Sequence, residues 1–318
     1  MHGHHGSGNG ARFAARTAAP MTSQQRQQFE DDGFVIVPDA LDQSELERYT
    51  AALDAAYDQE RKTGGEVDAN GALHKLSAEV DANGALHKLS AVANCPALVD
   101  LVDHPAVFPL VWSIIGWNIH VTHSHYDVHP PLRDAQPFRW RWHQDGGRQN
   151  IELETDPRPR LTVFSAFWLS DVSEPGRGNM MVIPGSHKLN WLQGPPSPTV
   201  RWPDPDDAME VTAHPGDVLF YDRRIWHSRS DNHSDVTRKA VFFGYTYRWI
   251  AVRDDVPDPR SSPELAHLSP IQRQLLDIDT DTGDGRWGHS PDTIPLYTEL
   301  RELGLLDPDN RAHKRLFA

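Results

Sequence analysis

The chain has 318 residues, 38% of them hydrophobic, which is enough for a sizeable core in one large domain or two small ones. Its 31 basic and 45 acidic residues give a net charge of −14, which argues against a nucleic-acid or anionic-membrane surface, since that needs basic patches, and no apolar run reaches the length of a transmembrane helix. The single cysteine, Cys95, excludes an internal disulfide and reads as a small buried hydrophobe, with the cytoplasm as the expected compartment.

Residues 1–20 read as a tag-like extension, His- and Gly-rich and then Ala- and Arg-rich, without the apolar segment of a secretory signal. Met21 is a candidate older start. The spacing predicts a helix over 23–32, stopped by Gly33, and a short buried strand over 34–37. Asp42 with Glu45 three residues on makes a capping box for a second helix, whose apolar face is Leu46, Tyr49, Leu53 and Tyr57. Gly64 and Gly65 close it.

Residues 66–78 read EVDANGALHKLSA, and 79–91 repeat them without a change. One tandem copy cannot build a solenoid, which needs three or more units. It reads as a recent duplication or an artefact, with one copy ordered and the other lengthening a surface loop. Residues 96–115 form a broken helical stretch. From Ile119 the character changes to strands, predicted at 119–128, 161–169, 179–183, 218–221 and 240–247, with Gly/Pro turns between them. The Pro-rich segment 194–207 reads as a loop across the barrel. After Val252 helices return, with cap-plus-Pro starts at Ser262-Pro263 and Ser269-Pro270, and the tail from Asp292 is expected to pack outside the core. The layout is a helical part 21–117, a β core 118–250 and a C-terminal helical segment 251–318 of one domain. The fold class is mainly β with flanking helices: a sandwich, jelly roll or barrel.

The chemistry centres on Trp142-His143-Gln144-Asp145-Gly146. On an extended segment His143 and Asp145 point to the same side. Joined by a distant histidine they would make a facial 2-His-1-carboxylate site, which leaves half of an octahedral iron(II) open. H-x-D alone is weak in a chain with 18 histidines and 45 acidic residues. Three downstream features add to it: the turn Ile183-Pro184-Gly185-Ser186-His187, the strand that runs from Gly216 to Trp226-His227, and Arg238, eleven residues beyond that histidine. A keto-acid co-substrate needs a cation at its far carboxylate, and a guanidinium fork matches it best.

The strings WHQDGG, MMVIPGSH, GDVLFYDRRIWHSRSDN and TRKAVFFGY together resemble the phytanoyl-CoA dioxygenase family of iron(II)/2-oxoglutarate oxygenases, a likeness that runs from about Phe29 to Trp249. The resemblance implies a double-stranded β-helix, a cupin-like jelly roll. It implies iron(II) on His143, Asp145 and His227, with Arg238 clamping 2-oxoglutarate and O2 as the second co-substrate. The family's lysine before the barrel maps to Lys88, and His125 and Phe167 map to strands lining the co-substrate pocket. Where many relatives carry a serine two residues after the distal histidine, this chain has Arg229, which turns it toward the substrate. Arg148 and Trp142 are further candidates for substrate contact. An acid at position 145 favours hydroxylation over halogenation.

The expected activity is therefore oxidation, by default hydroxylation, of a C–H bond in a small organic molecule, for example in secondary metabolism, with release of succinate and CO2. The competing readings are a non-catalytic cupin-like binding or regulatory protein and a cupin dioxygenase that uses no keto acid. The expected partner is the small-molecule substrate alone, with no nucleic acid or membrane; monomer and homodimer both remain open. A net charge of −14 offers no support for the basic groove that an acyl-CoA would want.

Overall fold

Thr22 opens the first helix, α1 (Ser23–Asp32), through a reciprocal capping box with Gln25, and Gly33 ends it in the left-handed conformation. The computed structural model describes residues 20–63, 84–134, 136–278, 286–287 and 289–315. The expectations for 1–19 and for the first repeat copy, 66–78, lie outside these residues. Strand β1 (Phe34–Val37) follows. Helix α2 (Gln43–Thr63) starts on the expected box: the Glu45 amide donates to Asp42 Oδ1 at 2.8 Å and the Asp42 amide to Glu45 Oε2 at 3.1 Å.

The end of the second repeat copy supplies strand β2 (Leu86–Leu89) and the start of the short helix α3 (Ala91–Asn94). A 3-10 turn over Pro96–Leu101 leads to α4 (Phe108–Ile115), every residue of which is buried. Then come β3 (Ile119–His129), α5 (Gln149–Glu152), β4 (Thr162–Trp168), β5 (Met180–Val182), β6 (Met209–Glu210), β7 (Val218–Asp222), β8 (His227–Arg229), β9 (Arg238–Tyr247), α6 (Pro270–Leu275) and α7 (Pro295–Glu302).

The strands form two sheets, in the orders β1-β7-β4-β9-β3-β2 and β6-β5-β8, with every pair antiparallel. This is the jelly-roll architecture expected. Strand periodicity divides the interior in two. Val163, Phe167, Val218, Phe220, Val241 and Phe243 face the helices and share one core with Phe29, Leu53, Trp112 and Leu300. Phe164, Ala166, Trp168, Leu219, Tyr221 and Phe242 face the smaller sheet and form a second core with Met180, Val182 and Ile225.

The C-terminal segment departs from expectation. Leu296 and Leu300 of α7 belong to the main core, and the Trp117 indole donates to the His313 carbonyl at 3.2 Å. Three large apolar side chains on a short helix, Leu296, Tyr297 and Leu300, are too much surface to leave in water. Ser269 caps α6 through Gln272, as its sequence suggests, whereas Ser262-Pro263 opens only turns. Among the described residues no helix is long and apolar enough to cross a membrane.

A candidate metal centre in a basic cavity

The smaller sheet gains a fourth member at one residue. The His143 amide donates to the His227 carbonyl at 3.0 Å and the His227 amide to the His143 carbonyl at 2.9 Å. That two-bond bridge places the imidazoles side by side, with ring centroids 4.3 Å apart. Asp145, two residues on, turns back toward both: Oδ1 lies 3.7 Å from His143 Nε2 and Oδ2 3.9 Å from His227 Nε2. One donor atom from each of the three residues lies within 4.8 Å of the others.

The donor set fits ferrous iron. Each Nδ1 faces a backbone carbonyl, that of Arg141 at 2.7 Å for His143 and that of Ile225 at 3.0 Å for His227. Nδ1 therefore carries the proton and Nε2 is left as the ligating lone pair. Burial raises the Asp145 carboxyl, but His227 and His143 outweigh it and hold the pKa well below the usual carboxylate range. Burial pulls His143 down, but the hydrogen bond and charge of Asp145 overcome it and leave the pKa raised; burial keeps that of His227 lowered. The acid is thus an anion between two imidazoles, the charge pattern that a divalent cation completes.

Residues that no sequence pattern announced hold this segment. The Gln144 side chain points away from the ligands, donating to the Leu189 carbonyl at 2.9 Å and to that of Arg224, while its Oε1 accepts from Arg158 at 2.8 Å. Arg223 donates to the Asp145 carbonyl at 2.7 Å, and Asn150 to the same carbonyl at 3.0 Å. Gly146 sits at φ +118°, and a Cβ there would meet Arg223 Nη1 at 1.6 Å. Gly146→Ala therefore dislodges Arg223 or strains the turn. It should weaken iron(II) affinity by about 10- to 100-fold, as removing ligand support does, in an anaerobic titration; parent-like affinity would show that Arg223 does not position Asp145.

The triad opens on a cavity of ≈ 650 Å³. Its floor is the inward face of β3 and β9: His123, His125 and Asp127, then Arg238 and Phe242. The His125 ring stacks on Phe242, centroids 4.3 Å apart. Arg238 is buried and lies over Trp168, its Cζ 5.0 Å from the ring. Its Nη1 donates to Asp127 Oδ2 at 2.9 Å and reaches His129 Nδ1 at 3.0 Å. Gly178 packs on it, with Cβ room only 3.0 Å from Arg238 Cδ. Burial, opposed by Asp127, pulls His129 down to about 2, so the ring is neutral. Arg229 Nη1 lies 2.5 Å from His129 Nδ1.

The other sequence candidates sort by strand parity. Lys88 does not reach the cavity: it lies on the helix-facing side of β2 and pairs with Glu60 at 2.8 Å. Its neighbour His87 turns inward instead and meets Asp127 Oδ1 at 2.7 Å. Phe167 likewise faces the helices, edge-on to Phe243 at 6.2 Å, in the core and not at the cavity. Arg148 is exposed and pairs with Glu152 one turn along α5 at 2.9 Å. Trp142 does line the cavity; its indole donates to Asp204 Oδ1 at 2.7 Å, tying the 194–207 loop to the segment that carries the ligands.

A second donor group, His87, His125 and Asp127, also clusters among the described residues. Its carboxylate is already committed to His87 and Arg238, and a cation there would face a guanidinium.

Residues 29–240 match the phytanoyl-CoA dioxygenase family. An ectoine dioxygenase of Stutzerimonas stutzeri is 23% identical over 287 residues, covering 80% of this chain and 87% of that protein. A probable phytanoyl-CoA dioxygenase of Caenorhabditis elegans is 23% identical over 318 residues, covering 91% and 93%. Among solved structures, the non-heme alpha-ketoglutarate-dependent carbocyclase SnoK from nogalamycin biosynthesis is 25% identical, with a TM-score of 0.53 over 80% of this chain and 93% of that one.

Proposed function

Because this chain belongs to the phytanoyl-CoA dioxygenase family, we propose that it oxidises a C–H bond of a small organic anion, with iron(II) on His143, Asp145 and His227 and 2-oxoglutarate and O2 as co-substrates. The observation that carries this reading is the convergence of three ligand atoms, with both tautomers set, on one cavity whose far wall is Arg238. Iron(II) held there would supply the site for O2 chemistry, with O2 the oxidant and 2-oxoglutarate the two-electron co-reductant that leaves as succinate and CO2. The protein's residues do the rest. His143, Asp145 and His227 would hold the ion and leave room on it for the co-substrates. Arg238 receives the far carboxylate of the keto acid. Trp142, Phe242 and Met180 add apolar surface to the cavity lining. Hydroxylation is the default outcome for such a site.

The anionic character of the substrate follows from the cavity rather than from the whole chain. Five arginines line it against two carboxylates, Asp127 and Asp145, in a protein whose net charge is −14. Arg139 and Arg253 stand exposed at its mouth, from segments on either side. The basic groove that the overall charge argued against is present locally. Succinate release across a panel of carboxylated, phosphorylated and neutral compounds tests this directly; turnover confined to neutral compounds would remove the anionic class. For a substrate so found, Arg139→Ala with Arg253→Ala should raise KM about 3- to 10-fold, more at low salt, with kcat little changed, since exposed charge contacts each contribute about 0.2–1 kcal/mol.

A further inference from the structure

We propose that Arg229 is the second cation of the keto-acid subsite, giving the far carboxylate of a dicarboxylic keto acid a net positive charge that Arg238, paired with Asp127, does not provide. This rests on the reading above that 2-oxoglutarate enters this cavity. The fixed charges at that end of the cavity are two guanidinium groups and one carboxylate, beside the Arg141–Asp231 ion pair at 2.8 Å, which is itself neutral. Arg238 and Asp127 are in contact at 2.9 Å and both are buried, so the pair is internally neutral. Without Arg229, an incoming carboxylate would meet a neutral ion pair with an anion, Asp127, already in it. With Arg229 the wall carries one positive charge in excess, which one carboxylate cancels.

The hydrogen-bond inventory points the same way. Arg238 Nη1 reaches His129 Nδ1 at 3.0 Å, and Arg229 Nη1 lies 2.5 and 2.6 Å from the two ring nitrogens of His129. A neutral imidazole offers one accepting nitrogen, so one guanidinium hydrogen is left over. Arg238 Nε is also buried with no partner among the described residues. Unused donors in a poorly solvated wall are costly. A carboxylate, with its several lone-pair positions and a geometry that matches the guanidinium fork, would satisfy them together. Arg229 reaches the site from β8, two residues after His227, so the same short strand carries a metal ligand and a clamp.

Calorimetric titration of 2-oxoglutarate into the Mn(II)-loaded protein without O2 tests this, as binding and not turnover. Arg229→Ser should weaken 2-oxoglutarate about 10- to 100-fold, the loss of one half-buried charge-assisted contact. Asp127→Asn alone should bind no more weakly than the parent. The double variant, Arg229→Ser with Asp127→Asn, should return to within roughly threefold of the parent, because one guanidinium beside a neutral amide restores the single positive charge. Arg229→Gln, which keeps the stem, should reproduce the loss and covers the case of a serine variant that fails to fold. Parent-like affinity in Arg229→Ser or Arg229→Gln, or a double variant as weak as the single, would overturn the proposal. A parent protein that binds Mn(II) but no keto acid would instead remove the co-substrate reading itself, and this subsite with it.

Discussion

Asp145→Ala should show no measurable succinate formation and an iron(II) affinity at least about 100-fold below the parent, beyond the loss expected from disturbing ligand support alone. Asp145 is the only anion in its donor group. Its two oxygens face different histidines, at 3.7 and 3.9 Å, so no rotation of one imidazole replaces it. The fold should survive, because the anchors of the segment are backbone contacts: Arg223 and Asn150 hold the Asp145 carbonyl, and Gln144 is fixed from the opposite side. An unchanged melting transition beside lost metal binding is therefore the expected pair of readings. Full turnover in this variant would remove the basis of the metal assignment.

Arg238→Gln should act on both ligand binding and stability. Removing one partner of a buried ion pair costs about 3–5 kcal/mol, because the other charge stays behind. Here that charge is Asp127, whose carboxyl burial pushes up but which the neighbouring histidines and Arg238 hold well below its usual range. The metal-free protein should melt at a clearly lower temperature. Affinity for 2-oxoglutarate should fall roughly 30- to several-thousand-fold, at about 1.4 kcal/mol per tenfold, while iron(II) still binds. Arg238→Lys should be intermediate, since it keeps the charge but loses the fork and the guanidinium's place over the Trp168 ring. Keto-acid affinity equal to the parent's in both variants would mean that the carboxylate is held elsewhere.

Much of this site was legible in the sequence, for a physical reason. A metal triad needs fixed residue types, and the H-x-D spacing puts two of them on one side of an extended segment, so His143, Asp145 and the later His227 stood out. Long strands were legible too, since β3, β4 and β9 are rich in β-branched and aromatic residues. Strand parity was harder. Lys88 was reached by counting back from a strand end, and a shift of one residue moves a side chain to the opposite face; His87 took the inward position. Phe167 missed the cavity by the same rule, with Phe164, Ala166 and Trp168 on the inner face instead. Strand β8 has three residues, too few to carry any periodicity. Gln144, Asn150, Arg158 and Arg223 left no local signal, because their contacts run to backbone carbonyls and to one another in a geometry that only the folded chain sets. The burial of α7 was missed for a related reason: a short amphipathic helix shows that it has an apolar face, not what covers it.

The backbone bridge between His143 and His227 carries a consequence for the lifetime of the loaded state. Two of the three ligands are supplied by residues whose own amides and carbonyls pair with each other. If the segment at 141–147 frays, it breaks both hydrogen bonds and withdraws His143 and Asp145 in the same event, leaving a single imidazole on β8. Stepwise dissociation of one ligand at a time competes poorly with that. Retention of the ion is thus coupled to the opening free energy of an edge element, a quantity that usually lies far below the global stability of a domain. A bound ion, in turn, acts as a cross-link that raises this opening free energy.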